Sequence, residues 1–307
     1  MGGGRSLNFG ILGLGLFVAV SVGAEPQCQS YPSRVREGQV KFCVHRSRAD
    51  IPPQVQEPVV YFFHGITGSA QSWKEGGYAE ALDVLSAEER FPPFTVVSFD
   101  TSGMSFFSDR DDVKQGPRAF ETWFMTDFMP YIEKTYGVCS KRNCRGTAGL
   151  SMGGYGALKT ALKYKEQFAF SAINSAAIAP FNVWNNLLDW NQYFSRHPVG
   201  PWQGHALLQE IRRVFTNREM YDRNDPALLL EAIKDERLAP HLYLDVGGKD
   251  YFGFQEGYFR ITKILDDRRW TYSSHFEPNG GHEIFRDRRW WLMRFIRDRI
   301  QESNEAF

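Results

Sequence analysis

Ser151 lies in the run Gly149-Leu150-Ser151-Met152-Gly153-Gly154, a Gly-x-Ser-x-Gly spacing that can put a hydroxyl to work as a nucleophile. The chemistry needs that residue at a particular kind of turn. A short apolar stretch, Arg145–Leu150, precedes it and reads as a buried strand. Gly153–Lys165 follows, rich in small residues, with the composition of a helix packed hard against a sheet. A serine between such a strand and helix sits in an unfavourable backbone conformation, so its neighbours must be small enough to avoid collision. Its Oγ then stands clear of the sheet, and the Met152 amide at the helix N-terminus faces the same point. With 28 glycines in 307 residues the spacing alone could arise by chance. The strand before it and the helix after it make it an elbow.

A serine hydroxyl attacks only when a base removes its proton, and that base must be oriented by a third group. On a strand–elbow–helix scaffold the chain order is serine, then acid, then histidine. Of the seven histidines, His45 and His64 precede the serine, while His197 and His205 fall in an aromatic-rich interval without strands. His241 opens a strand and His275 lies within another. His282 follows Gly280-Gly281, after the last strand and before the last helix, and is the expected base. The acid should hang from the loop after the preceding strand, His241–Val246. Asp250 in Gly247-Gly248-Lys249-Asp250 is the choice, with Asp245 and then Glu256 as alternatives. An oxyanion hole needs two amides. Met152 supplies one, and Ile66 is the candidate for the other, because Val59–Phe63 runs into the loop His64-Gly65-Ile66-Thr67-Gly68. His64 itself is expected to shape that loop.

These side chains require an alternation of strands and helices. Strands are expected at Gln39–His45, Val59–Phe63, Phe94–Phe99, Arg145–Leu150, Phe170–Asn174, His241–Val246 and Tyr272–Glu277. Helices are expected at Gly77–Ser86, Ala119–Tyr136 (kinked at Pro130), Gly153–Lys165, Phe254–Leu265 and Glu283–Ser303. The pattern implies an α/β-hydrolase fold, a mostly parallel central sheet flanked by helices. Residues 179–240 carry Phe181, Trp184, Trp190, Tyr193, Phe194 and Trp202 and read as a helical cap insertion, whose aromatics could serve as core or as an acyl pocket. The mixed charges of Arg286–Arg299 read as a solvated helix face.

At the N-terminus, Arg5, the apolar run Phe9–Val20 and the small residues Val22-Gly23-Ala24 form a signal-peptide pattern over residues 1–24. The apolar run is short for a stable membrane span, and nothing small precedes Cys28 as a lipidated cysteine would need. Residues 25–307 then form one domain, secreted or periplasmic. Four cysteines suit that compartment, and Cys28–Cys43 and Cys139–Cys144 are the pairings that close local loops. Net charge is zero with signs interspersed, which gives no footprint for nucleic acid or an anionic membrane. Asp109, Asp111 and Asp112 lack EF-hand spacing and read as a solvated loop. No zinc-like spacing occurs, and the chemistry calls for no metal or organic cofactor. The sequence leaves the oligomeric state open.

Tyr61-Phe62-Phe63-His64-Gly65, Ser69-x-x-Ser72-Trp73, Ser105-Phe106-Phe107-Ser108-Asp109, Gly149–Gly156 and Gly280-Gly281-His282 occur in this order. Together they resemble the esterase D-like group. That group holds feruloyl and acetyl-xylan esterases of carbohydrate esterase family one, S-formylglutathione hydrolases and antigen 85-type mycolyltransferases. The resemblance spans roughly Gln39–Ile300, is weakest in the cap, and implies that the second oxyanion amide is that of Ile66. The expectation is a secreted serine carboxylic-ester hydrolase acting through an acyl-enzyme on a small-molecule or polysaccharide-linked ester, such as acetyl or feruloyl esters. An acyltransferase passing the acyl group to a sugar or lipid alcohol is the alternative. A non-catalytic binding protein on the same scaffold is a third reading.

Overall fold

The computed structural model describes residues 25–48, 56–88, 91–101, 103–110, 113–282 and 286–305. The leader pattern at 1–24 and the acidic residues Asp111 and Asp112 lie outside them. Among the described residues eight strands form one sheet: β1 Gln27–Ser33, β2 Gly38–Arg46, β3 Val59–Phe63, β4 Thr95–Phe99, β5 Arg145–Leu150, β6 Phe170–Asn174, β7 His241–Gly247 and β8 Ser273–Glu277. Their spatial order is β1-β2-β4-β3-β5-β6-β7-β8. The pairs β1–β2 and β2–β4 are antiparallel; from β4 onward every pairing is parallel. The sequence yielded β2 to β8 within a residue or two at each end. It missed β1, whose residues 27–30 are exposed and whose Pro32 belongs on an edge strand.

The helices are α1 Ser72–Glu75, α2 Tyr78–Glu88, α3 Phe120–Trp123, α4 Met129–Tyr136, α5 Met152–Lys163, α6 Leu187–Ser195, α7 Gly200–Val214, α8 Arg218–Asp222, α9 Pro226–Ala232, α10 Phe254–Arg268 and α11 Arg286–Glu305. Alternation along β3 divides the core in two. Val59, Tyr61 and Phe63 face a cluster shared with α3, α4, α5 and α10, whereas Val60 and Phe62 face a second cluster with Trp73, Leu82, Leu292 and Ile296 from α1, α2 and α11. Both faces of the central strands are therefore covered, which is why β3, β4 and β6 are buried at every position.

Three expectations need correction. The kink expected at Pro130 is a wide π turn over Phe124–Phe128, with Pro130 in the first turn of α4. Proline has no amide to bond to the carbonyl four residues back, and the wider turn accommodates that loss. Asp127 on this turn accepts from Ser33 Oγ (2.6 Å) and the Arg34 amide (3.1 Å), fastening the β1–β2 hairpin. Secondly, the charged face of α11 is not wholly solvated: Arg288 is 2 % exposed, while Leu292, Met293 and Ile296 form the helix's buried face. Lastly, Asp109 is buried rather than solvated, accepting from the Thr122 amide and hydroxyl and pairing with Lys114.

Residues 179–240 lie between β6 and β7 and hold α6 to α9. Their aromatics are mostly core: Trp190, Tyr193 and Phe194 are buried and in mutual ring contact, and Phe181 packs on Trp190. Trp202 is the exception at 83 % exposure. Cys28 is bonded to Cys43, its direct register partner across β1–β2, and Cys139 to Cys144.

Candidate active site

The end of β5 and the start of α5 place Ser151 at φ 57° and ψ −120°, backbone that an L-residue adopts only under constraint. Neighbouring strands supply that constraint. The Ser151 amide donates to the Asn174 carbonyl at 3.0 Å, and its carbonyl accepts from Tyr155 (3.0 Å) and Ala177 (2.9 Å). Gly153 is required by close approach, since a Cβ there would lie 1.9 Å from the Phe63 carbonyl oxygen at the end of β3. The elbow is thus pressed against the strand that launches the His64–Gly68 loop.

His282 reaches the serine from the loop after β8, the last strand in the sheet order. Its Nε2 is 3.0 Å from Ser151 Oγ and its Nδ1 2.8 Å from Asp250 Oδ2. A carboxylate only accepts, so Nδ1 carries the proton and Nε2 is left to accept from the serine hydroxyl. Asp250 is 1 % exposed, and its Oδ1 accepts from the Phe252 amide at 2.9 Å. Both its oxygens are therefore engaged. The rings of Phe252 and Phe254 lie 4.9 and 5.4 Å from the imidazole and confine it edge-on.

The two alternative acids have other partners. Asp245 binds Arg288; burial, opposed by that guanidinium, holds its carboxyl above the usual carboxylate range. Glu256 bonds to His197 Nε2 at 2.8 Å and to Arg196. His275 stacks on Trp291 with its Nε2 3.8 Å from Glu277.

On the other side of Ser151, Gly65 lies in contact range, where a Cβ would rest 3.6 Å from the serine Cβ. Ile66 follows it, with its side chain 38 % exposed at the rim. His64 holds this loop. Its Nδ1 donates to the Gly65 carbonyl at 2.6 Å, leaving Nε2 to accept from the Thr101 amide at 3.2 Å. Burial pushes the His64 imidazole below its ordinary value, so it is neutral and anchored.

Sequence reasoning missed two supports. Arg288 was hidden in a run of mixed charge. The cap also ties into the acid loop: the Val199 amide donates to the Tyr251 carbonyl (3.0 Å) and the Tyr193 hydroxyl to the Phe252 carbonyl (2.9 Å). Spacing alone could not show these contacts, which join residues 52 and 59 positions apart.

The sheet order, the serine elbow and the flanking helices define an α/β-hydrolase fold. The chain belongs to the family described as "Putative esterase", whose model matches residues 34–301. It is similar to Esterase Rv1288 of Mycobacterium tuberculosis, at 32 % identity over 118 residues, covering 38 % of this chain and 25 % of the relative. The chain therefore spans about a quarter of that protein's length. An acetyl esterase of Caldicellulosiruptor saccharolyticus is 25 % identical over 195 residues, covering 62 % of this chain and 65 % of the relative. Among solved structures, a ferulic acid esterase superposes with a TM-score of 0.67 at 21 % identity, covering 90 % of this chain and 98 % of that one.

Proposed function

We propose that this chain is an exported serine carboxylic-ester hydrolase working through an acyl-enzyme. The observation that carries the reading is the continuous line from Ser151 Oγ through His282 to Asp250, at 3.0 and 2.8 Å. Ser151 Oγ attacks the ester carbonyl carbon as its proton passes to His282 Nε2. The amides of Ile66 and Met152 receive the oxyanion, each donor worth ~3 kcal/mol in the transition state. The imidazolium returns its proton to the departing alcohol oxygen, leaving the acyl group on Ser151. Water then repeats the sequence, its proton taken by His282, and frees the carboxylic acid. Asp250 holds the imidazole tautomer throughout.

The two disulfides support an oxidising compartment, and among the described residues no helix is long and apolar enough to cross a membrane. Residues 25–307 act as one unit, with 179–240 as its cap. An acetyl esterase and a ferulic acid esterase among the similar proteins favour acetyl or feruloyl esters as substrate, and an exported enzyme would meet such esters on an extracellular polysaccharide.

Ser151→Ala should lower turnover of p-nitrophenyl acetate by roughly 10⁴-fold or more and abolish fluorophosphonate labelling, with the fold intact. Substantial turnover by the alanine variant would remove Ser151 from this role. A panel of acetyl, longer acyl and feruloyl esters, with and without sugar alcohol acceptors, then reads acyl preference and the partition between hydrolysis and transfer.

A further inference from the structure

Arg288 is among the largest side chains fully buried in the protein, at 2 % exposure, and no step of the ester chemistry uses it. Its guanidinium occupies the space beneath the His282 loop and gathers three chain segments. Nε donates to both Asp245 oxygens, at 2.9 and 3.1 Å, and Nη2 also reaches Asp245 Oδ1. Nη2 donates to Ser175 Oγ at 2.8 Å, and Nη1 donates to the Gly281 carbonyl at 3.1 Å. Asp245 lies on β7, five residues before Asp250. Ser175 follows β6, and its amide donates to the Asp245 carbonyl at 2.8 Å. Gly281 immediately precedes His282.

We infer that Arg288 is a positioning residue that fixes His282 on the line between Ser151 and Asp250, with Asp245 as its fixed base. The inference rests on the reading of those three residues as the ester-cleaving machinery. Buried ion pairs are poor devices for stability, because desolvating both charges offsets much of their attraction. Here the pair does something an apolar pair could not: a planar fork reaches a carboxylate, a hydroxyl and a carbonyl at fixed angles. The held carbonyl belongs to the loop that carries His282. The Lys249 amide donates to the Gly280 carbonyl at 2.8 Å, and a Cβ on Gly247 would lie 2.2 Å from the Gly281 oxygen. The base loop therefore lies directly against the acid loop, and Arg288 pins it one peptide from the imidazole. A shift of about 1 Å in a reacting group costs on the order of 100-fold in rate, so the clamp acts where small displacements matter.

Arg288→Lys keeps a cation beside Asp245 but cannot span all three acceptors. The second-order rate of fluorophosphonate labelling at Ser151 should fall roughly tenfold or more, measured well below the variant's own melting temperature. KM for p-nitrophenyl acetate should stay within about threefold while kcat falls. The downfield proton signal of the His282–Asp250 hydrogen bond should weaken or move, which a purely structural role would not produce in a folded variant. A double variant, Asp245→Leu with Arg288→Met, removes both charges together and carries the test if the lysine variant melts too low. A folded variant of either kind that labels at the wild-type rate with an unmoved proton signal overturns the inference. His282→Ala separates the two claims. If it labels at the wild-type rate, the reading of the site fails; if it is inert while Arg288→Lys is fully active, only the clamp fails.

Discussion

A buried charge cluster on the elbow side of the sheet invites a stability test, Glu121→Gln. Lys159 of α5 is fully buried, and its Nζ contacts Glu121 Oε2 of α3 at 2.6 Å, the Phe107 carbonyl at 2.5 Å and Ser108 Oγ at 2.9 Å. Glu121 Oε1 also meets Lys163 Nζ and the Tyr164 hydroxyl, each at 2.7 Å. Burial raises the Glu121 carboxyl, but the two lysines outweigh it and bring it from 4.5 down to about 2. That fall corresponds to about 3 kcal/mol lost on neutralising the carboxylate beside charged lysines, at ~1.36 kcal/mol per pH unit. Burial pushes the Lys159 ammonium below its ordinary value, so the pair as a whole contributes less. The loss sits at the lower end of the ~3–5 kcal/mol expected for breaking a buried pair, as befits a partner, Lys163, that is 30 % exposed. The folded value lies below the unfolded one, so the contribution is complete above about pH 4.5 and is lost as pH falls toward about 2. Urea unfolding of wild type and Glu121→Gln, disulfides intact, should therefore show a gap of about 3 kcal/mol at neutral pH that shrinks to about half near pH 3. A gap below about 1 kcal/mol at neutral pH, or one that does not shrink on acidification, refutes the reasoning.

His282→Ala should cost a factor similar to Ser151→Ala, roughly 10⁴-fold in kcat/KM, because base and nucleophile act as one unit. His275→Ala, which loses a ring stack on Trp291 and a 3.8 Å approach to Glu277, should be far milder, and esterase assays with the reverse order would contradict the placement of the base. Asp250→Asn should keep the fold yet drop kcat by about 10⁴-fold, since the amide favours the wrong tautomer; a loss below about tenfold would move the acid elsewhere. Replacing Cys28 and Cys43 with serine should lower stability by ~3 kcal/mol for the 15-residue separation. The Cys139–Cys144 pair, five residues apart, should contribute less, about 2 kcal/mol. Calorimetry in which the short loop mattered more would overturn that ordering.

Much of this arrangement was legible because the elbow imposes a chain order. Once Ser151 was fixed, the loop after β7 and the loop after β8 were the places to look, and each held one fitting residue. Strands buried on both faces announce themselves as apolar runs, which is why β3, β5 and β6 were read to the residue. An edge strand gives no such signal. Gln27–Ser33 reads as polar coil, although the pairing Cys28–Cys43 already required the arm to lie beside β2. Arg288 illustrates the converse. Charge patterning treats an arginine among acids and arginines as solvated, and only the three-dimensional meeting of β6, β7 and α11 shows the polar acceptors that let it be buried.

The cap follows the same logic at larger scale. Its buried aromatics pack on one another and join the core on the elbow side of the sheet. Its backbone and side chains also grip the acid loop through Val199 and Tyr193, with His197 bonded to Glu256 on α10. Phe252 is held by its carbonyl on the cap side, and its ring lies 4.9 Å from His282. The imidazole is thus confined from two directions: Arg288 fixes the backbone before it, and the cap, through Phe252, limits its ring. A lid free to swing could not do this without loosening the base at each opening. The contacts of α6 and of the turn before α7 therefore tie this part of the insertion to the loop that carries Asp250.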